Sequence, residues 1–307
     1  MKLYLELFIL GLPIAGLFAL LATGVIMIYR ASRILTLAQG GVAMFTAYVL
    51  YQLNHQPAPN TEEKGFGLPL FIALPLALVF AALLGYIIER FLLRPLRDRP
   101  VLVSVIMTVG VLALLTGSAG IIWGYDKQAA PEITPRITES GVVTFAGITI
   151  PVSQLFILGA TAAIMFAILY LFKYTTLGIA MRAVADDRKA ALLMGIPADR
   201  VASLTWILGS LLAGMAGILL SPIVALHPLI LTLLSIPAYA AALFGGLTNL
   251  GRMLLGAGLV GVIYSMMPDI PRVGHLMPGM RELAIFGFVI VFMFITGKST
   301  QLQEEEI

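Results

Sequence analysis

The groups in this chain that could move a proton, hold a metal ion or act as a nucleophile are few, and their positions argue against all three. Glu6, Glu89 and Glu282 stand at the ends of apolar runs, and Asp98, Asp126, Asp186, Asp187, Asp199 and Asp269 fall in the polar stretches between them. A carboxylate deep in hydrocarbon is unfavourable and marks an ion or proton route, and none of these is expected to lie deep. His55, His227 and His275 form no pair at the one-turn spacing of a helical metal site. The absence of cysteine removes disulfides, thiolate ligands and a thiol nucleophile. Gly297, Lys298, Ser299 and Thr300 spell the tail of a phosphate-binding loop, but Phe292 occupies the place of its first glycine. Too few residues follow to build the helix that would hold the phosphate. The segment reads instead as a basic anchor after the last apolar run, and the chain is expected to bind no cofactor of its own.

Two other sets of polar or small residues remain. Gln39, Gly40 and Gly41 interrupt an apolar run, and Gly245, Gly246 and Asn249 interrupt a later one. Such breaks free backbone groups to line a cavity, or let helices approach closely; both readings stay open for the glycines. Gln39 and Asn249 are candidates for contact with a solute or pore, because an amide left unpaired in hydrocarbon is strongly disfavoured. The second set is TTLGIAMRAVADDRKAALLMGIP, residues 175–197, which carries Arg182, Asp186, Asp187, Arg188 and Lys189 in a chain only 11% charged. Thr175 or Thr176 is suited to cap a helix starting at Leu177, and Asp186 to cap a second through Lys189, Ala190, Ala191, Leu192 and Leu193. Gly195, with Ile196 and Pro197 behind it, is the expected stop, and Asp199 the expected cap for a following span at Val201. The product is a short helix, about 13 Å long at the usual rise. It reads either as a solvated loop or as a docking knob whose apolar run, Ala190 to Met194, a partner would cover.

The elements that must position these residues follow from composition. The chain has 307 residues, 60% of them hydrophobic, and a mean hydropathy of +0.99, which places it among integral membrane proteins. About 20 apolar residues cross a hydrocarbon core. On that measure the passages fall near 5–29, 34–53, 68–93, 101–124, 151–172, 201–222, 234–250, 252–267 and 282–297. Pro222, Pro228 and Pro237 disturb the later ones, so a broken or re-entrant helix can replace a crossing. The expected fold is an all-α polytopic bundle of about eight to nine passages in one domain, residues 1–307, with no linker. Trp123 and Trp206 are expected to serve as interfacial anchors or in packing. With the N-terminus outside, thirteen of the nineteen Lys and Arg residues fall on the inner side, Arg30, Arg94, Arg99, Arg188 and Lys189 among them. The basic balance therefore belongs to membrane orientation and not to nucleic acid, and residues 174–200 are expected to be cytoplasmic.

That loop resembles the coupling loop of bacterial ABC-importer permeases, in which Glu-Ala-Ala, three further residues and Gly seat a short helix on the ATPase subunit. Lys189, Ala190, Ala191 and Gly195 keep the spacing, with Lys189 in place of the glutamate. The loop, the segment IYRASRILTLAQGGVAMFTAYV at 28–49 and AAALFGGLTNLGRMLLGAGLVG at 240–261 are together similar to the branched-chain amino acid (Liv-type) permease family. The outer stretches 54–67 and 125–150 take no part in that likeness. The resemblance implies a multi-pass permease subunit in the inner membrane of a bacterium, paired with a second permease and fed by an extracytoplasmic binding protein. Two cytoplasmic ATPase subunits would consume the ATP and couple through Arg182, Asp186, Asp187, Lys189, Ala190, Ala191 and Gly195. It points to leucine, isoleucine or valine as cargo. Urea and amide permeases look similar, and a secondary carrier or channel would work without ATPases.

Overall fold

The computed structural model describes residues 2–56, 65–96, 99–128, 141–145, 148–267, 283–288 and 290. His275, the GKST segment, the centres of both outer stretches and most of the ninth expected passage lie outside the described residues. Eleven helices and one hairpin account for most of the rest. They are α1 (Lys2–Ser32), α2 (Gln39–Asn54), α3 (Leu70–Ile87), α4 (Val101–Trp123), α5 (Val152–Tyr174), α6 (Thr176–Asp186), α7 (Arg188–Leu193), α8 (Ala198–Val224), α9 (Pro228–Leu233), α10 (Ser235–Phe244) and α11 (Leu250–Met266). Residues 283–288 are also helical. Strands β1 (Val142–Phe145) and β2 (Ile148–Pro151) pair antiparallel, Val142 opposite Pro151, between α4 and α5. The described residues are mostly helical, as expected, and this short hairpin is an addition to that plan: VVTF and ITIP are rich in β-branched residues that favour a pleated surface.

Proline sets the starts of four helices. Pro69, Pro100, Pro151 and Pro197 sit at the caps of α3, α4, α5 and α8. There the missing N–H is harmless, because the first turn has no intrahelical partner for it. Among the described residues, five helices are long and apolar enough to cross a membrane. They divide into centre and periphery: the most apolar windows of α1 and α8 are 72% and 61% buried, and those of α3, α4 and α5 only 22–28%. Helices α2 and α11 and the broken stretch Pro228–Phe244 are shorter. The run 34–53 becomes helical only at Gln39, because Arg33 takes a left-handed conformation (φ 58°) and Leu37 N–H donates to Thr108 Oγ1 at 3.2 Å.

Small residues bring the central helices together. A Cβ on Gly24 of α1 would stand 2.9 Å from the Gly209 carbonyl of α8. Gly217 of α8 has no room for a Cβ against the backbone of Ala43 in α2. Ala73, Ala77, Ala81 and Gly85 recur every fourth residue, so they form one stripe of α3, and all four are buried. Gly85 closes against Ser210 of α8. Lipid offers no hydrophobic drive between helices, so such close dispersion contact is what holds the bundle. Trp206 is fully inside, and Trp123 stacks on Tyr48 at 5.0 Å while its Nε1–H donates to Gln52.

Candidate functional site

Three regions bear on the site, and one of them was not predicted. The first is the loop between α5 and α8. Thr175 caps α6 as expected, its hydroxyl accepting from Gly178 N–H at 3.2 Å. Arg182 donates to the Phe172 carbonyl, and Arg33 reaches from the end of α1 to the Ala185 carbonyl at 2.7 Å. These bonds fasten α6 beneath the bundle. The cap of α7 is Asp187, one residue beyond the expected Asp186: Asp187 Oδ1 accepts from Lys189 N–H (2.8 Å) and Ala190 N–H (3.1 Å). Asp186 ends α6 instead, because the chain runs on helical to that point before Asp187 turns extended.

Gly195 stops α7 at φ 80°. Its N–H donates to the Leu192 carbonyl and Ile196 N–H to the Ala191 carbonyl. These are the two bonds of a Schellman turn, and the Ala191 and Ile196 side chains lie inward behind it. The helix is six residues, about 9 Å, shorter than expected. Ala191 is its one buried residue and belongs to the interior of this chain, not to an outward surface. Leu193 and Met194 are 89% and 81% exposed at its end. Asp199 does not cap α8; Pro197 does, and Asp199 in the first turn takes a 2.5 Å ion pair from Arg188.

That ion pair joins α7 to a network that sequence reasoning missed. Glu89, 1% exposed, receives Arg94 Nε at 3.3 Å and the Ser203 hydroxyl at 2.6 Å. Arg94 Nη2 also donates to Ser203 Oγ (2.8 Å) and to the Asp199 carbonyl (3.2 Å). On an α-helix, residues five apart are rotated by about 140°, so Glu89 and Arg94 would point away from each other. The helix widens to a π-turn over Ile88–Leu93, where Arg94 N–H donates to the Glu89 carbonyl, and the five-residue spacing comes onto one face. Acid and base at that spacing after a long apolar run was the available signal. The network ties the end of α3 to the start of α8, and Arg188 ties both to α7.

The third region is the uncapped start of α2. Gln39 is 1% exposed, and neither its Oε1 nor its Nε2 has a hydrogen-bond partner. Gly40 packs without room for a Cβ against Ser235 and the Thr232 carbonyl, at the break between α9 and α10, and Gly41 packs on Leu112 and Leu115. Tyr239 of α10 lies beside this backbone, its buried hydroxyl close to Ser235 and to the Gln39–Gly40 main chain. Gly245, Gly246 and Asn249 are not brought to it. They form the turn into α11, where Gly246 is left-handed (φ 59°) and exposed Asn249 caps α11 by accepting from Arg252 N–H at 3.1 Å.

A bundle with a close-packed centre, an apolar rim and several helices long and apolar enough to cross a bilayer defines a polytopic helical membrane protein. The chain belongs to the family described as branched-chain amino acid transport system, permease component, whose model matches residues 7–296. It is 28% identical over 291 residues to the high-affinity branched-chain amino acid transport system permease protein BraD of Pseudomonas aeruginosa, covering 94% of this chain and 93% of that one. It is 26% identical over 288 residues to LivH of Escherichia coli, covering 93% and 91%. It is 30% identical over 259 residues to a probable LivH of Methanocaldococcus jannaschii, covering 82% and 77%.

Proposed function

We propose that this chain is the permease subunit of an ATP-driven importer that carries a small amino acid, with a branched aliphatic side chain, across the cytoplasmic membrane. The names of its relatives support the cargo class. The observation that carries the mechanism is α7: capped by Asp187, stopped by Gly195 and ion-paired through Arg188, it still leaves Leu193 and Met194 outward at the basic end. A solvated loop has no need of that exposed apolar pair, and a cytoplasmic ATPase would cover it. The whole chain acts as one transmembrane domain with eight or nine passages, the broken stretch Pro228–Phe244 supplying one of them. A second permease completes the pore, and a binding protein delivers solute to the opposite end.

The chain itself breaks no bond. Closure of two ATPases on α7 would pull Arg188, hence Asp199 and the start of α8, and Ser203 and Arg94 would carry that displacement to α3 through Glu89. Gln39, with both amide atoms buried and unpaired, sits where α2 meets the α9–α10 break and would meet solute as the pore opens.

Uptake of radiolabelled leucine into vesicles holding both permeases, the ATPases and internal ATP, with binding protein outside, tests this reading. Uptake must require ATP and the ATPases. Equal uptake by the permeases alone under an ion gradient would show a secondary carrier instead.

A further inference from the structure

At the basic end, a cavity of about 530 Å³ opens between the end of α1, the start of α4 and α7, bordered by Ser32, Arg94, Arg99, Val101, Arg188 and Lys189. Its described lining holds four cations against a single carboxylate, Asp199. Arg94 is engaged by Glu89 and Arg188 by Asp199, whereas Arg99 and Lys189 form no ion pair with a described residue. Two cations without an ion-pair partner among the described residues face one cavity and repel each other, and an anion between them would relieve that repulsion.

The rim of the cavity is also apolar. Val101 lines it at the first residue of α4 and is 59% exposed, and Leu102 beside it is 68% exposed. A free anion would have no use for that rim. A molecule with a phosphate head and acyl chains would use both, its head in the cavity and a chain against the start of α4.

We propose that this cavity binds the phosphate headgroup of an anionic membrane lipid, with Arg99 and Lys189 as its charge partners. The inference rests on the membrane placement of this end and not on transport. Because Lys189 belongs to α7 and Arg99 to the start of α4, an occupied site would brace the proposed docking helix against the bundle. Basic pockets between spans at this depth are suited to such heads, and each nearby cation contributes to holding them.

The purified full chain in neutral detergent, without ATPases, is titrated with a fluorescent phosphatidylglycerol, with the matching phosphatidylcholine and with inorganic phosphate as competitor. Saturable phosphatidylglycerol binding is expected, at least tenfold tighter than phosphatidylcholine. The double variant Arg99→Gln/Lys189→Gln should weaken it by about tenfold or more, at roughly fivefold per cation removed. Arg99→Lys should bind as the parent does, and so should Lys127→Gln, which removes an exposed cation far from the cavity. Both rule out a general charge effect. Equal binding of the two lipids, or no loss in the double variant, overturns the proposal. Displacement by phosphate at the lipid's own concentration would make the cavity a free-phosphate site and overturn it as well. Should the double variant elute as aggregate, Arg99→Gln alone carries the test, with about a fivefold loss expected and none overturning the proposal.

Discussion

Glu89 and Arg94 meet at 3.3 Å across a π-turn, an arrangement that exists only because α3 widens at its basic end. The carboxylate is inside and the guanidinium is partly exposed, so removal of the acid strands a positive charge at a helix junction. Glu89→Ala should therefore lower stability by about 2 kcal/mol or more, toward the lower side of losses for broken buried pairs. Glu89→Gln should lose less, because the amide oxygen still accepts from Ser203. Thermal unfolding of the purified protein in detergent checks both, and equal melting of parent and Glu89→Ala would mean that the network holds nothing.

The glycines divide by what surrounds them. At Gly209 a Cβ would come within 2.8 Å of Ile28 and 3.1 Å of the Gly24 carbonyl, whereas at Gly159 nothing stands within 4 Å. Gly209→Leu must part α1 from α8 and should cost at least the roughly 1–3 kcal/mol of core overpacking. Gly159→Leu, on the exposed face of α5, should be tolerated or slightly stabilising through better helix propensity. Yield of monodisperse protein and melting temperature decide, and parity of the two variants would sink the packing argument.

These contrasts also show how much the sequence could tell. The long apolar runs placed α3, α4, α5 and α8, and local cap chemistry placed Thr175 and Gly195. What was hidden depends on tertiary geometry. Asp187 displaced Asp186 by one residue because α6 runs one residue further. Asn249 became a cap, and Ala191 turned inward, because the neighbouring helices decide which face is covered. The Glu89 network needed a π-turn, which no periodicity announces. Gln39 was legible as an unusual amide in an apolar run, but its lack of any partner was visible only once α10 stood beside it.

Gly195→Val should weaken the coupling loop without disturbing the bundle. A β-branched residue is strongly disfavoured at φ 80°, and loss of the turn frees the Leu192 and Ala191 carbonyls that it satisfies. A cost of about 1–2 kcal/mol is expected, confined to α7. Leu193→Ser, by contrast, leaves the fold untouched and removes only exposed apolar surface. Both variants should insert normally and copurify with less ATPase than the parent. Full recovery of ATPase with Leu193→Ser would make α7 a solvated loop.

Gln39 offers a prediction in which stability and transport move in opposite directions. Both amide atoms are buried without a hydrogen-bond partner, at a place where α2 begins uncapped against the α9–α10 break. An unsatisfied buried amide opposes folding by roughly 1–3 kcal/mol, so Gln39→Leu, similar in size, should be neutral or should raise the melting temperature. If the amide is kept for a solute that passes the break when the pore opens, the same substitution should cut ATP-driven leucine uptake severalfold while ATPase copurification stays at the parent level. Gln39→Asn keeps the amide on a shorter arm and should recover part of the uptake. A purely structural amide predicts the reverse pattern: melting falls with Gln39→Leu, and any uptake lost is lost with it. Unchanged uptake together with a raised melting temperature would remove Gln39 from the solute path and leave its burial to packing alone.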